Sequence, residues 1–241
     1  MCSATVTRIH SSSDSALGPK EDYIQRPCVL ALVGLPARGK SFISKKLAIY
    51  LNWIGHNTRI FNVGEYRRVA TDAYKARHDF FSLDNHEAQQ IRENCAKDAL
   101  EDMCQWLRDG DGHIGIYDAT NTTRERRHLI YQTVVEEYGF ELIFIESICD
   151  ESTILEANIQ LKTKSPDYKH MDDKQAAIED FKLRIEHYKS RYEPLEVDTE
   201  EKKYSFIKIF NAGERLYLHQ CDGQVHSLII SYLCSLYAPS N

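Results

Sequence analysis

The chain of 241 residues is long enough for one large α/β domain or two smaller domains. With 42% hydrophobic and 27% charged residues, its composition excludes wholesale disorder, collagen and a long coiled coil. The formal net charge of -6 argues against a nucleic acid or an anionic membrane as a partner. The sequence has no apolar run of the roughly 18 residues that a membrane span needs, and its N-terminus lacks the apolar region of a secretion signal. We therefore expect a cytoplasmic protein.

The cysteines and histidines give no sign of a metal centre. The seven cysteines are scattered and include no C-x-x-C pair, which predicts reduced thiols rather than disulfides or a zinc knuckle. The ten histidines show no H-E-x-x-H spacing. We expect that any metal ion arrives together with a ligand.

Residues 1–22 are rich in serine and poor in apolar residues, which predicts a mobile tail before a single domain over residues 23–241. In that domain, short apolar segments alternate with segments of helical periodicity, as in a mostly parallel sheet flanked by helices. The strands are predicted at 28–33, 58–63, 114–117, 142–145 and 205–210, with a hairpin strand at 215–219. The helices are predicted at 43–54, 88–107, 129–138, 154–162, 172–192 and 225–236.

The run G34LPARGKS41 matches G-x-x-x-x-G-K-[ST] and lies between the first predicted strand and the first predicted helix. In such a loop the backbone N–H groups surround phosphate oxygens, Lys40 reaches the β- and γ-phosphates, and the Ser41 hydroxyl coordinates Mg²⁺. The alternative is a glycine-rich turn without a ligand. The flanking elements favour the phosphate loop, and with it a three-layer α/β fold of the P-loop NTPase type.

Asp118 follows the predicted strand at 114–117, where a carboxylate can approach the same Mg²⁺. An aspartate after a strand is about as often a turn or helix-cap residue. The phosphate loop upstream favours the catalytic interpretation.

Three arginines, Arg124, Arg126 and Arg127, lie near the start of a predicted helix, where the helix dipole favours negative charge. Either local carboxylates such as Glu125 compensate them or a bound phosphate does. Further basic and aromatic groups that could converge on a phosphate are Tyr66, Arg67, Arg68, Arg92, Arg184 and Tyr188. In an acidic chain this pattern suits a small phosphorylated acceptor better than a polyelectrolyte.

Two further features allow a functional and a structural interpretation. Lys162 and Lys164 precede a helix-to-loop change at Ser165, where they are either a movable cover over phosphates or solvated lysines. Cys149 ends a predicted strand, and taken alone it is more typical of a small buried hydrophobic residue than of a ligand contact.

Taken together, the run G34LPARGKS41 and four other segments closely resemble the kinase domain of the bifunctional 6-phosphofructo-2-kinase/fructose-2,6-bisphosphatase family. The other segments are N62VGEYRR68, D118ATNTTRERR127, E146SIC149 and S165PDY168. The resemblance implies transfer of the γ-phosphoryl group of ATP, with Mg²⁺, to the 2-hydroxyl of fructose 6-phosphate. The product would be fructose 2,6-bisphosphate, a regulator of glycolysis. Because no R-H-G phosphatase signature occurs, we expect a kinase module without bisphosphatase activity.

The resemblance also implies roles for individual residues. The catalytic residues would be Lys40, Asp118, Cys149 and Lys162, with Ser41 and Asp118 near the metal. ATP would contact Gly34, Leu35, Pro36, Ala37, Arg38, Gly39, Lys40, Ser41, Phe42, Asn158, Ile159, Gln160, Leu161 and Lys162. Fructose 6-phosphate would contact Arg67, Arg92, Thr120, Arg126, Lys162, Arg184 and Tyr188.

Two other functions stay open at this point. The chain could be a P-loop kinase for another small acceptor, which a panel of acceptors would distinguish. It could also be a nucleotide-binding regulatory protein without turnover, although the presence of Lys40, Asp118, Lys162 and Arg184 argues against this. The oligomeric state is not set by the sequence, and a homodimer is one option.

Overall fold

The computed structural model describes residues 26–71, 77–169 and 171–237. The predicted tail over residues 1–22 lies outside these residues. The strands in the described part of the chain are β1 Cys28–Val33, β2 Thr58–Asn62, β3 Ile114–Asp118, β4 Glu141–Ile148, β5 Ser205–Phe210 and β6 Arg215–His219. They form one sheet with the order β2-β3-β1-β4-β5-β6. The first five strands pair in parallel, and β6 pairs antiparallel with β5, which confirms the predicted hairpin.

Helices connect the parallel strands, as the alternating pattern predicts. The described helices are α1 Lys40–Trp53, α2 Val63–Ala70, α3 His86–Asp109, α4 Arg124–Tyr131, α5 Ser152–Lys162, α6 Lys174–Lys189 and α7 Gln224–Leu236. In this part of the chain, none of the helices combines the length and the apolar character needed to cross a bilayer.

Both faces of the sheet are covered, which explains why β1 is an unbroken apolar run. Val29, Ala31 and Val33 pack with residues of α3 and α4, and Cys28, Leu30 and Leu32 pack with α1 and α7 on the other face. All six residues of β1 are fully buried. Because helices cover both faces of the sheet, the molecule has three layers.

Two elements differ from the sequence-based expectation. The predicted second strand ends one residue early, because Val63 begins α2, a helix that the apolar pattern does not reveal. Its N-cap is Asn62, whose side-chain oxygen accepts a hydrogen bond from the Glu65 amide. The helix predicted at 129–138 begins earlier, at Arg124 with Thr123 as its N-cap, and continues beyond Tyr131 as a π-helical turn.

Candidate active site

The candidate site lies at the carboxyl edge of the sheet. Strand β1 is flanked by β3 and β4, and all three run in parallel, so their carboxyl ends meet at one edge. Asp118 is the last residue of β3, the loop of residues 34–41 follows β1, and Cys149 follows β4. Open α/β sheets bind their ligands at this edge.

The loop of residues 34–41, called the P-loop below, needs glycine at its first position. Gly34 has a φ of +135°, and a Cβ atom there would lie 2.5 Å from the carbonyl oxygen of Ser147. Gly39 has a φ of +87° at the N-cap of α1 and therefore takes the left-handed conformation that glycine tolerates. The two glycines of the phosphate-loop motif thus stand at positions where a residue with a side chain would strain the backbone.

Three neighbouring elements hold the P-loop in place. The Gly34 amide donates a hydrogen bond to the Thr120 carbonyl at 2.9 Å, and the Ser147 hydroxyl donates to the Arg38 carbonyl. From α5, the side-chain amide of Asn158 donates to the carbonyl of Ala37 at 3.0 Å. Asn158 therefore contacts the P-loop, as the resemblance implies, and it does so through the backbone of the loop.

Lys40 is the first residue of α1, and its side chain turns back over the P-loop. Its Nζ donates to the carbonyl oxygen of Leu35 at 2.6 Å, and the residue is buried. Burial lowers the pKa of Lys40 to about 7, and the positive charges of Lys162, Arg38 and Arg184 act in the same direction, against the charge of Asp118. Because burial and neighbouring cations destabilise the ammonium form of Lys40, a bound anion would stabilise that form.

Asp118 is buried at the end of β3, between these positive charges. Its Oδ2 accepts a hydrogen bond of 2.5 Å from the side-chain amide of Asn62, the residue opposite it on β2. The negative charge of Asp118 raises the pKa of both Lys40 and Lys162. The carboxylate therefore lies where it can act on both lysines, and Asn62 fixes its orientation.

Helix α5 carries the second predicted nucleotide segment, residues 158–162. Ile159 is buried against Ala37 of the P-loop, whereas Gln160 and Leu161 are exposed to solvent. Lys162 ends the helix, and burial together with the charges of Arg184, Lys45 and Arg68 lowers its pKa, against the charge of Asp118. Of this segment, the structure thus brings Asn158, Ile159 and Lys162 to the site.

Three guanidiniums, those of Arg67, Arg92 and Arg184, form a group that is called the arginine cluster below, and the charge of Arg184 acts on Lys162. Arg67 donates two bonds of 2.6 and 2.7 Å to Asp167, and Arg184 lies 3.3 Å from the same carboxylate. Burial raises the pKa of Asp167, but the charges of Arg67, Arg184 and Arg68 outweigh it and hold that pKa below its usual range. Burial and the charge of Arg184 lower the pKa of Arg67. The single carboxylate of Asp167 thus forms ion pairs with several arginines.

Two phenylalanines give the arginine cluster a common surface. Phe80 and Phe81 are buried in a 3₁₀ turn, His78–Phe81, which precedes α3. The Arg184 Cζ lies 3.8 Å from the centre of the Phe81 ring, and the Cζ atoms of Arg67 and Arg92 lie 5.2 and 5.8 Å from it. The Tyr188 ring lies 5.9 Å from the same ring. Four of the predicted sugar-phosphate residues therefore converge, around two phenylalanines and an aspartate that the sequence-based reasoning did not assign.

The arginines at the start of α4 have separate partners. Arg127 forms a buried ion pair of 2.6 Å with Glu201, and Arg124 pairs with Glu196 at 3.3 Å. Carboxylates thus compensate both, although Glu125 does not. Arg126 lies beside the Tyr117 hydroxyl, where its charge partly offsets the rise in the pKa of Tyr117 that burial causes. Within the described residues, no hydrogen bond or ion pair joins Arg126 or Thr120 to the arginine cluster.

The remaining predicted residues line the P-loop side of the edge. Cys149 is buried, and its thiol lies close enough to Arg38 to affect the pKa of that guanidinium, which burial lowers. Ser41 and Phe42 are in the first turn of α1, with Phe42 half exposed. Leu35 and Ala37 are buried within the loop.

Comparison with known proteins identifies the family of the chain. The family model of 6-phosphofructo-2-kinase matches residues 18–238. The chain belongs to this family. A 6-phosphofructo-2-kinase/fructose-2,6-bisphosphatase from Aquarana catesbeiana is 46% identical over 216 residues, or 89% of this chain and 45% of that protein. One from Gallus gallus is 49% identical over 208 residues, or 86% and 43% of the two chains. The chain thus spans somewhat less than half the length of these relatives.

Among solved structures, Kti12 from Chaetomium thermophilum in complex with ADP-AlF3 superimposes with a TM-score of 0.53 at 12% identity, covering 88% of this chain and 100% of that one. At this identity the likeness concerns the fold alone. Membership in the 6-phosphofructo-2-kinase family confirms the resemblance deduced from the motifs, and the sheet and its helices confirm the predicted fold class. The roles of individual site residues stay predictions.

Proposed function

We propose that the chain transfers the γ-phosphoryl group of ATP to the 2-hydroxyl of fructose 6-phosphate. The observation that carries this proposal is the contiguity of the P-loop and the arginine cluster. Ala37 of the P-loop packs in one buried cluster with Phe181 of α6, the helix that carries Arg184. The charge of Arg184 also acts on Lys40 and Lys162. A phosphate donor on the loop and a phosphorylated acceptor on the arginines would therefore be neighbours.

On the donor side, the amides of the P-loop and Lys40 would bind the phosphates of ATP. The hydroxyl of Ser41 and Asp118 Oδ1, which accepts no hydrogen bond from the described residues, are the hard oxygen ligands that Mg²⁺ prefers, and Asn62 binds Oδ2. Bound Mg²⁺ would supply positive charge to the transferred group. Asp118 would hold the metal or accept the proton of the sugar hydroxyl.

On the acceptor side, the arginine cluster would hold the 6-phosphate, since one guanidinium can donate two parallel hydrogen bonds to a phosphate. Arg67 Nε and Nη1, Arg92 Nη2 and Arg184 Nε are buried without a hydrogen-bond partner among the described residues. A phosphate would satisfy such donors. Tyr188, Thr120 and Arg126 would contact the sugar. Lys162, between donor and acceptor, would stabilise the negative charge on the phosphoryl group during its transfer.

An acceptor panel tests the proposal. The chain with ATP and Mg²⁺ should release ADP when given fructose 6-phosphate, and far less when given fructose or glucose 6-phosphate. Lys40→Met should abolish this release, whereas Lys46→Met, which removes an exposed charge from the same helix, should leave it unchanged. ADP release that is equal for all acceptors, or absent with fructose 6-phosphate, would contradict the proposal.

A further inference from the structure

A fourth arginine, which neither the motifs nor the resemblance assigns, lies at the edge of the arginine cluster. Arg191 follows the end of α6, and its amide donates to the Tyr188 carbonyl at 3.2 Å in the turn that closes the helix. Its guanidinium lies over the Tyr188 ring, with Cζ 5.9 Å from the ring centre. Tyr188 in turn contacts Phe81, so Arg191 extends the group of cations around these two rings.

Arg191 and Arg92 lie against the same pair of rings, Arg191 over Tyr188 and Arg92 over Phe81. Burial lowers the pKa of Arg92, and the charge of Arg191 lowers it further. Within the described residues, Arg191 forms no ion pair, although Arg124, Arg127, Arg67 and Arg184 each do. The two like charges therefore act on each other, and Glu93, the chain neighbour of Arg92, is a carboxylate that acts on Arg92 in the opposite sense.

Arg92 donates through Nη1 to the Phe80 carbonyl, but within the described part of the chain one buried donor of each guanidinium is unsatisfied. Arg191 Nε and Arg92 Nη2 are both buried and have no partner among the described residues. An unpaired buried donor costs free energy, and more so when it is charged. An exposed arginine that merely lay along the Tyr188 ring would keep its Nε in water. The buried donors instead indicate an anion between Arg92 and Arg191.

We propose that Arg191 is a binding residue for the phosphate group of the acceptor, shared with Arg92, and thereby selects phosphorylated over unphosphorylated sugars. This inference rests on the proposed function for the identity of the acceptor, although it requires only a phosphorylated sugar. Arginine suits the role because its planar fork can give two hydrogen bonds to one phosphate.

Arg191→Gln tests the inference, because glutamine keeps much of the aliphatic stem over Tyr188 but removes the charge. We expect the KM for fructose 6-phosphate, and its Kd measured by calorimetry without ATP, to rise about tenfold. The KM for ATP, the kcat and the melting temperature should change little. Arg191→Lys, which keeps the charge without the fork, should give an intermediate rise. Lys189→Ala, which removes an exposed charge two residues away, is the matched control and should behave as the wild type.

An unchanged Kd for fructose 6-phosphate in Arg191→Gln would overturn the inference, and so would an equal rise in the KM for ATP. The two proposals can fail separately. A wild-type chain that binds fructose 6-phosphate without phosphorylating it would overturn the proposed function, while a weaker Kd in Arg191→Gln would still support the role of Arg191. A wild-type chain that binds neither fructose 6-phosphate nor inorganic phosphate would overturn both.

Discussion

Asp118 is the residue at which a catalytic role and a merely structural role make opposite predictions. It is buried, its Oδ2 is held by Asn62, and its charge acts on Lys40 and Lys162. In Asp118→Asn the side-chain oxygen can still accept the bond from Asn62, so the variant should fold and bind ATP. Loss of the negative charge should lower kcat by about 10² to 10³.

The structural alternative for Asp118 is a cap or turn residue, a position where asparagine serves as well as aspartate. Steady-state kinetics and thermal melting of the purified variant separate the two roles. A kcat close to the wild-type value, with unchanged thermal stability, would remove Asp118 from the chemistry.

Lys40 leads to a pH prediction. Burial first, and then neighbouring cations, lower its pKa to about 7, so at pH 8 the side chain is mostly neutral in the free protein. Phosphates favour the ammonium form and raise the pKa, so ATP binding at pH 8 should take up as much as about one proton. By linkage, the affinity for ATP should fall as the pH rises above about 7.

Calorimetric titration with ATP, without acceptor, in two buffers of different ionisation enthalpy measures this proton uptake. Lys40→Met is the control and should take up clearly less. Identical binding enthalpies in the two buffers for the wild type would show that Lys40 is already charged.

At the scale of elements, the P-loop depends on its close approach to β4. In Gly34→Ala the new Cβ would lie 2.5 Å from the Ser147 carbonyl oxygen, at a φ of +135°, so we expect the loop to shift and ATP binding to be lost. Gly55→Ala is the matched control, since Gly55 also has a positive φ of +96° but open space around it. It should cost only about 1 kcal/mol of stability. Equal ATP affinities of the two variants would contradict this account of the loop.

The 3₁₀ turn Pro166–Tyr168 is tied to α2 and α6 through Asp167. The Arg67–Asp167 pair is only 4% exposed on either side. Because breaking a buried pair leaves an uncompensated charge, Asp167→Asn should lower the free energy of unfolding by about 3 kcal/mol. Asp109→Asn, which breaks the exposed pair with Arg108, should have little effect on the melting temperature.

The same pair has a defined pH dependence. The pKa of Asp167 is depressed in the folded chain, so its stabilisation is present above the ordinary aspartate pKa of about 3.9 and is lost as the pH falls below it. Chemical denaturation should therefore show the difference between wild type and Asp167→Asn shrinking below about pH 4. A difference independent of pH would indicate that the charge of Asp167 is not what stabilises the turn.

At the scale of the whole molecule, the sequence predicts the elements better than their arrangement. The strands at 28–33 and 205–210 coincide with β1 and β5, because continuous apolar runs mark strands buried on both faces. Helix α2 was not predicted, because only one of its eight residues, Arg67, is buried and the helix therefore has no apolar periodicity. The order of the strands depends on contacts between distant segments, which periodicity does not encode.

In the candidate site, too, local features could be predicted from the sequence and contacts between distant segments could not. The P-loop, Asp118 and the arginines could be identified, because local motifs and residue chemistry mark them. The role of Asp167 could not, since its partner Arg67 is 100 residues away in the chain. The partner of Arg127 could not be predicted either, because Glu201 is 74 residues away in the chain. Ion pairs between such distant positions become visible only when the fold is known.

In the proposed reaction the phosphoryl group goes to the 2-hydroxyl of fructose 6-phosphate, and the position of the new phosphate distinguishes this transfer from transfer to any other oxygen. Fructose 6-phosphate labelled with ¹³C at carbon 2 should be incubated with ATP, Mg²⁺ and the chain, and the product examined by NMR. We predict a new ³¹P resonance coupled to the labelled carbon, which appears about 10² to 10³ times more slowly with Asp118→Asn. A product phosphorylated at another carbon, or ADP formed without a new sugar phosphate, would contradict the account.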